Sequence, residues 1–196
     1  MISCADTEGE FENRSTYKSV SPVIHPTSTP FVSGRDGQHT CRPPSLFKTD
    51  NGDLLAFASA REARGDNSRC NVVLRRSTDR GQTWEPMQTI AGNPDPENMK
   101  HRKHLPSPVT LDDGTIVLLY MWSKHVKKND DRGCRKMYMK KSFDHGVTWT
   151  ERRDITDQTQ RQCEEDEDGK IKPDIREGKW GWTGLGPVHG IVKKHG

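Results

Sequence analysis

An eight-residue motif occurs twice in the chain and limits what the chain can fold into. Both copies read Ser-x-Asp-x-Gly-x-Thr-Trp, at residues 77–84 and 142–149, so they begin 65 positions apart. The Asp carboxylate can accept backbone N–H bonds in a tight turn, the Gly can adopt a positive φ, and the Trp can anchor the turn against a sheet. The residues predicted to build these structural turns are Ser77, Asp79, Gly81, Trp84, Ser142, Asp144, Gly146 and Trp149.

The sequence ahead of each motif also repeats. Each copy has a segment with Pro and Ser, a turn rich in Asp and Gly, and two strand-like runs, at 54–58 and 71–77 in the first copy and 115–122 and 136–142 in the second. Asp-Gly and Asn-Gly turns between such runs indicate hairpins. Four strands per repeat predict β-propeller blades, which are small sheets that bury their faces only against neighbouring blades. The predicted fold class is therefore all-β, with the polar, acidic region 150–180 expected to be solvated loop and no helix expected.

The composition is compatible with one domain or a piece of one. The chain has 196 residues and 30% of them are apolar, against roughly 45–50% in a globular chain by a count that includes Gly. Either much of the chain is solvated loop or its core is unfinished. Residues 1–35 have no sustained period and are expected to form a leader that contributes at most an edge strand. Residues 36–196 are expected to form the propeller part.

Charge and cysteine content argue against several classes of protein. The net charge of +3 comes from 31 basic and 28 acidic residues, and this balance is not the basic face of a nucleic-acid-binding protein. The short basic runs at 100–104 and 124–128 are interpreted as solvated loops. No apolar stretch approaches the roughly 18 residues that would span a bilayer, and residues 1–30 have no secretory apolar segment. Five scattered cysteines without a CxxC pair argue against a zinc site, so we expect no metal.

The repeated motif is similar to the Asp-box of sialidases, although other propellers also carry it, and the motif alone therefore indicates fold better than function. Three further segments resemble that family. Cys41-Arg42-Pro43 is similar to its Arg-Ile-Pro motif, and the run ending in Arg61 resembles its Leu-Leu-Ala-Phe-Ala-Glu-x-Arg. Asp66 stands where sialidases place the acid/base aspartate. Residues 180–191 resemble the family's Trp-x-Trp-x-x-Thr-Gly-Pro-Gly-x-Gly-Ile segment, with Val188 in place of a Gly.

This resemblance covers about residues 38–196 and roughly the first half of the family's catalytic domain. It implies a six-bladed propeller in the complete domain, of which the chain would supply about three blades. The resemblance makes Arg42 and Arg61 two of the three arginines that clamp the carboxylate of sialic acid, a role suited to a planar, permanently charged fork. It makes Asp66 the group that protonates the departing glycosidic oxygen. The activating glutamate, the third arginine and the nucleophilic tyrosine would follow residue 196.

Two positions differ from the family or remain ambiguous. Sialidases often have Asn or Asp before the proline aligned with Pro106, where this chain has Leu105. Trp122 ends a strand-like run at a position where some sialidases have a pocket tryptophan facing the N-acetyl group. A tryptophan packed in the core is an equal alternative for Trp122.

The implied activity is that of an exo-acting, retaining sialidase that uses a tyrosine nucleophile and no metal or organic cofactor. Its partners would be sialylated glycoproteins, glycolipids and oligosaccharides, and the resemblance is compatible with a secreted or lysosome-like compartment. One alternative is a non-catalytic Asp-box propeller that binds glycan or protein, which would need Asp79 and Asp144 but not Arg42, Arg61 and Asp66 together. Another is a glycosidase of different specificity, which would have no arginine clamp. Linkage preference and the choice between hydrolysis and transfer stay open.

Overall fold

A computed structural model describes residues 28–66, 68–92, 101–124, 135–159, 164–165, 171–172, 184–186 and 190–192. Eight strands in these residues form one open sheet made of two antiparallel four-stranded blades. Blade 1 consists of β1 (Thr40–Lys48), β2 (Leu54–Arg61), β3 (Cys70–Ser77) and β4 (Gln88–Ala91). Blade 2 consists of β5 (His101–Thr110), β6 (Ile116–Lys124), β7 (Arg135–Ser142) and β8 (Arg153–Asp154).

The prediction of an all-β, incomplete propeller is confirmed, with two additions in the region expected to be loop. A four-residue helix, α1 (Thr156–Thr159), follows blade 2, and the Asp154 carboxylate accepts a 3.0 Å bond from the Thr156 N–H at its start. The short strands β9 (Glu164–Glu165) and β10 (Ile171–Lys172) pair with each other. The expected third blade falls mainly on residues outside the described ranges. Within those ranges, no helix is long and apolar enough to cross a membrane.

The two blades pack face to face, and strand alternation explains which residues meet. In β2, Leu55 and Phe57 point to one face while Ala58 and Ala60 point to the other, and all four are buried. The large side chains enter the core between the blades, and the alanines join a smaller cluster on the far face. The core between the blades contains Leu55, Phe57, Val72, Leu74, Ile90, Ala91, Ile116, Leu118, Tyr120 and Tyr138.

The repeated motifs form the turns between the third and fourth strands of the blades. In the second turn, the Ser142 hydroxyl donates to Asp144 (2.8 Å) and accepts from the Gly146 N–H (2.8 Å). Asp144 also accepts from the Thr148 N–H at 2.8 Å, and Gly146 has a φ of 88°. The first turn repeats these contacts with Ser77, Asp79, Gly81 and Thr83.

The tryptophans that end the motifs anchor the turns differently. Trp149 Nε1 donates directly to the Gly146 carbonyl at 3.2 Å, and its ring meets Phe57 of blade 1 edge-on at a centroid distance of 5.9 Å. Trp84 Nε1 instead donates to the Ser28 hydroxyl at 2.9 Å, and Ser28 donates in turn to the Gly81 carbonyl. Blade 2 therefore docks on blade 1 through its own turn, whereas the turn of blade 1 uses a residue that precedes the sheet.

The interpretation of the basic run at 100–104 as solvated loop was wrong. The strand β5 already begins at His101, and Lys103 is only 3% exposed. The reason is long-range: β5 lies between β3 and β6, and its start is held to β3 by the parallel pair Cys70–Arg102. Burial lowers the pKa of Lys103, and the charges of Arg152 and Arg69 lower it further.

Candidate functional site

Two neighbouring strands bring the predicted site residues together at one end of blade 1. Arg61 is the last residue of β2, and its Cα is paired with that of Thr40 in β1. The β1–β2 register shifts between Cys41 and Pro44, so Arg42 lies in an irregular stretch of β1 beside the end of β2. The loop after β2 then returns Asp66 to this edge. Arg42, Arg61 and Asp66 are therefore close in space although they are separated in the sequence.

The Asp66 carboxylate lies between the two arginines. Its Oδ1 is 3.0 Å from Arg42 Nη2 and 3.8 Å from Arg61 Nη1. The side chains differ in access to solvent, since Asp66 is 81% exposed, Arg42 is 43% exposed and Arg61 is 8% exposed. Asp66 and Arg42 can therefore be reached by a ligand directly, while Arg61 is buried beside them.

Arg61 is largely engaged by backbone carbonyls. Its Nε donates to the Arg42 carbonyl at 3.3 Å, and its Nη1 donates to the carbonyls of Gly65 (3.2 Å) and Asp66 (2.8 Å). A buried guanidinium is stabilised when its N–H groups have acceptors. Here one acceptor lies in β1 and two lie in the loop that carries Asp66. The first role that the geometry gives Arg61 is to hold this loop against β1.

An open cleft of about 730 Å³ lies over Arg42 and Asp66. This volume falls within the range of roughly 300–1,000 Å³ that is typical of small-molecule sites. The cleft combines cationic, anionic and hydroxyl groups, which suits a polar ligand that carries a carboxylate. Its lining residues are Ser33, Gly34, His39, Thr40, Arg42, Arg64, Gly65 and Asp66.

One basic residue near Asp66 was missed by the sequence analysis. Arg102, in β5 of blade 2, donates from Nη1 to the Asp66 carbonyl at 3.2 Å. The sequence offered no signal for this contact, because Arg102 lies in the basic run that was interpreted as solvated loop. Only the pairing of β3 with β5 brings it to the end of blade 1.

Trp122 and Leu105 are not among the residues that line the cleft. Trp122 is partly buried and packs against the core between the blades, as expected if it is a core tryptophan, and its pocket role stays a prediction. Leu105 sits at a register shift of β5 with a φ of 55°. Its side chain packs with Met121 and Met137 on the outer face of blade 2.

The other titratable groups nearby do not supply a reactive centre. Burial, together with the charges of Arg102 and Arg135, lowers the pKa of His104 to about 3, so its imidazole is neutral at physiological pH. Burial raises the pKa of the Cys70 thiol to about 11. In the part of the chain that the structure describes, no three His, Cys, Asp or Glu side chains are grouped so as to hold a metal ion. Asp66 is the acidic group in the cleft, and Arg42 is its accessible cationic partner.

Comparisons with known proteins identify the family of the chain. The family described as BNR repeat-like domain matches residues 52–195. An exo-alpha-sialidase of Aspergillus fumigatus is 28% identical over 179 residues, which cover 79% of this chain and 39% of that protein. A sialidase of Micromonospora viridifaciens is 30% identical over 133 residues, which cover 62% of this chain and 20% of that protein. The solved structure of the Hadza microbial sialidase Hz136 superposes with a TM-score of 0.58 at 26% identity, covering 65% of this chain and 28% of that one.

The chain thus spans well under half the length of each of these relatives. The family match extends over most of the chain, from the first hairpin turn through both Asp-boxes. The two blades and their turns have the architecture that such a match requires. The chain belongs to the BNR repeat-like family of Asp-box β-propellers and is sialidase-like within it.

Proposed function

We propose that this chain carries part of the active site of an exo-α-sialidase that hydrolyses terminal α-linked sialic acid by a retaining mechanism. The observation that supports this most is the pairing of Asp66 with the accessible guanidinium of Arg42 in an open cleft. The names of the relatives, sialidase and exo-alpha-sialidase, point to the same chemistry. The proposed substrates are sialylated glycoproteins, glycolipids and oligosaccharides, bound by the propeller part at 36–196.

The proposed roles follow from access to solvent. Arg42 lines the cleft and would bind the sialic acid carboxylate through two parallel N–H bonds once its Nη2 leaves the Arg64 carbonyl and the Asp66 carboxylate. Arg61 would add a second cationic contact, through the part of its guanidinium that does not hold the loop. Asp66 would give its proton to the glycosidic oxygen and later remove one from water.

A retaining mechanism of this kind also needs a nucleophile. The tyrosines within the described residues, Tyr120 and Tyr138, lie in the core between the blades. Burial raises the pKa of Tyr120 to about 12, which makes its phenolate inaccessible near neutral pH. We therefore propose that the nucleophilic tyrosine, the glutamate that activates it and a third clamp arginine come from outside the described residues.

The experiment compares leaving groups in the full natural protein. Asp66→Ala is expected to reduce kcat/KM for a natural sialoside far more than kcat/KM for a sialoside whose leaving group departs without a proton. This constant covers the steps up to departure of the leaving group, and only the natural sialoside needs a proton there. Asp113→Ala, in a hairpin turn, is the matched control and should leave both rates unchanged. Equal losses on both substrates would remove Asp66 from the acid/base role. Binding of sialosides without any hydrolysis by the wild type would favour the non-catalytic alternative.

A further inference from the structure

One backbone oxygen near the proposed acid receives guanidinium bonds from both blades. The Asp66 carbonyl accepts from Arg61 Nη1 at 2.8 Å and from Arg102 Nη1 at 3.2 Å. Arg61 belongs to β2 of blade 1, and Arg102 belongs to β5 of blade 2. We propose that Arg102 is a positioning residue, which holds the backbone of Asp66 from the neighbouring blade so that the carboxyl group reaches the glycosidic oxygen. This inference rests on the proposed sialidase function.

The loop that carries Asp66 is exposed, so bonds such as the one from Arg102 are needed to hold its backbone in place. The Asp66 side chain is 81% exposed, so packing does not fix its place. Within the loop, Ser68 donates from its N–H to Gly65 at 3.0 Å and from its hydroxyl to Ala63 at 2.9 Å. These bonds shape the turn but do not attach it to the rest of the sheet. The attachment is made by the guanidinium groups.

Substrate binding would remove one of these attachments. The Asp66 carboxylate contacts Arg42, which is also the proposed ligand of the substrate carboxylate. When the substrate takes this guanidinium, the side chain of Asp66 loses its nearest tether. The bonds to its carbonyl from Arg61 and Arg102 do not involve the carboxylate and can persist. They would keep the main chain in place while the side chain turns toward the glycosidic oxygen.

Because Arg102 belongs to blade 2, its bond to the Asp66 carbonyl also links the two blades. The β3–β5 pairing at Cys70 and Arg102 is the described strand pair that joins the blades. Cys70 is buried directly at this junction. The bond from Arg102 to Asp66 therefore makes the position of the proposed acid depend on how blade 2 docks against blade 1. A residue that never touches substrate can in this way affect proton transfer.

The kinetic test uses the full natural protein and two substrates. Arg102→Met is expected to lower kcat/KM on a natural sialoside about tenfold, which is less than the roughly hundredfold that a 1 Å misplacement can cost, with KM changed less than about twofold. On a sialoside whose leaving group needs no proton, kcat/KM, which covers only the steps up to departure of the leaving group, should change less than about twofold. Arg102→Lys, which keeps a charged donor, should recover part of the loss. Arg153→Met, an exposed arginine of the same blade, is the control.

A second measurement on the same protein does not depend on activity. In Arg102→Met, amide hydrogen exchange at Ser68 should speed up several-fold relative to Arg153→Met, while exchange in β2 and β6 stays unchanged. Equal kinetic losses on both substrates, or unchanged exchange at Ser68, would overturn the positioning role of Arg102. Absence of sialidase activity in the wild-type protein would instead refute the proposed function, so the two failures are distinguishable.

Discussion

Asp66 Oδ1 lies 3.0 Å from Arg42 Nη2, so the proposed proton donor occupies the guanidinium that is proposed to bind the substrate carboxylate. The carboxylates of Asp66 and of sialic acid would compete for the guanidinium of Arg42. Asp66→Asn is therefore expected to strengthen binding of free sialic acid to the 196-residue chain. An exposed ion pair contributes about 0.2–1 kcal/mol, which corresponds to an increase in affinity of up to about fivefold.

Calorimetric or NMR titration at pH 7 would measure this difference. Asp113→Asn removes an acidic charge from a hairpin turn outside the cleft lining and is the matched control. If Asp66→Asn binds sialic acid as weakly as the control or more weakly, the carboxylates do not compete for Arg42.

Arg42→Lys is expected to weaken binding of sialic acid by about tenfold or more. Lysine keeps the charge but cannot reproduce two parallel N–H bonds, and each charge-assisted hydrogen bond contributes about 1.5–3 kcal/mol. The same titration, with Arg153→Lys as control, would show the loss. Affinity retained in Arg42→Lys would mean that the carboxylate binds elsewhere.

Gly146→Ala tests the docking of the second Asp-box on blade 1. A Cβ at Gly146 would lie 2.8 Å from Leu55 Cδ1, and Leu55 is fully buried. Gly52 has a similar positive φ, 94° against 88°, but open space around it. Gly52→Ala should cost about 1–2 kcal/mol of unfolding free energy for the backbone alone, and Gly146→Ala about 1–3 kcal/mol more because of the clash. Denaturant titration would measure the loss of unfolding free energy in each variant. Equal losses in Gly52→Ala and Gly146→Ala would argue against tight packing of the second Asp-box on blade 1.

Asp144→Ala should lower stability without a direct effect on ligand binding. The carboxylate accepts bonds from Ser142 and from the backbone and hydroxyl of Thr148, and their loss is expected to cost about 1–3 kcal/mol. Asp79→Ala should act in the same direction. Thermal melts beside Asp112→Ala, an exposed turn residue, provide the comparison. An unchanged melting temperature in Asp144→Ala, together with altered sialic acid affinity, would contradict the structural role of Asp144.

The first Asp-box should also respond to acid. Bonds from the Thr83 hydroxyl and N–H and from the Ser77 hydroxyl lower the pKa of Asp79 from 3.8 to about 2. A carboxyl group whose pKa is depressed by folding stabilises the fold above its unfolded pKa and loses this contribution as pH falls through the folded value. The difference in melting temperature between wild type and Asp79→Asn should thus be full above about pH 4, shrink as the pH falls toward about 2, and vanish below it. A difference that does not depend on pH would contradict this linkage.

Local pattern predicted the repeated parts of the fold well. The two Asp-boxes, the hairpin turns and the strands that follow them depend on residues within a few positions of each other, and Ser77 and Asp79 form the same bonds as Ser142 and Asp144. Periodicity of this kind identifies a blade because the same short-range rules apply in each copy. The grouping of Arg42 with Arg61 came instead from the resemblance to sialidases, and the structure places both residues on paired strands of one blade.

What the sequence did not predict depends on how one blade meets the next. Lys103 lies in a basic run whose composition is typical of a solvated loop. It is nevertheless buried, because β5 lies between two other strands. Arg102 reaches Asp66 across 36 positions of sequence, through a junction that no periodicity encodes. Such long-range register depends on the packing of whole blades, which is why Arg102 was missed.

The Ser28 hydroxyl bridges Trp84 Nε1 and the Gly81 carbonyl, so Ser28 is part of the folded domain. In the second Asp-box the equivalent tryptophan reaches the glycine carbonyl without help. A recombinant version trimmed to begin at residue 36 would leave the indole N–H of Trp84 and the carbonyl of Gly81 without their described partner. Any domain boundary chosen for expression should therefore include Ser28, although it precedes the first strand by twelve positions.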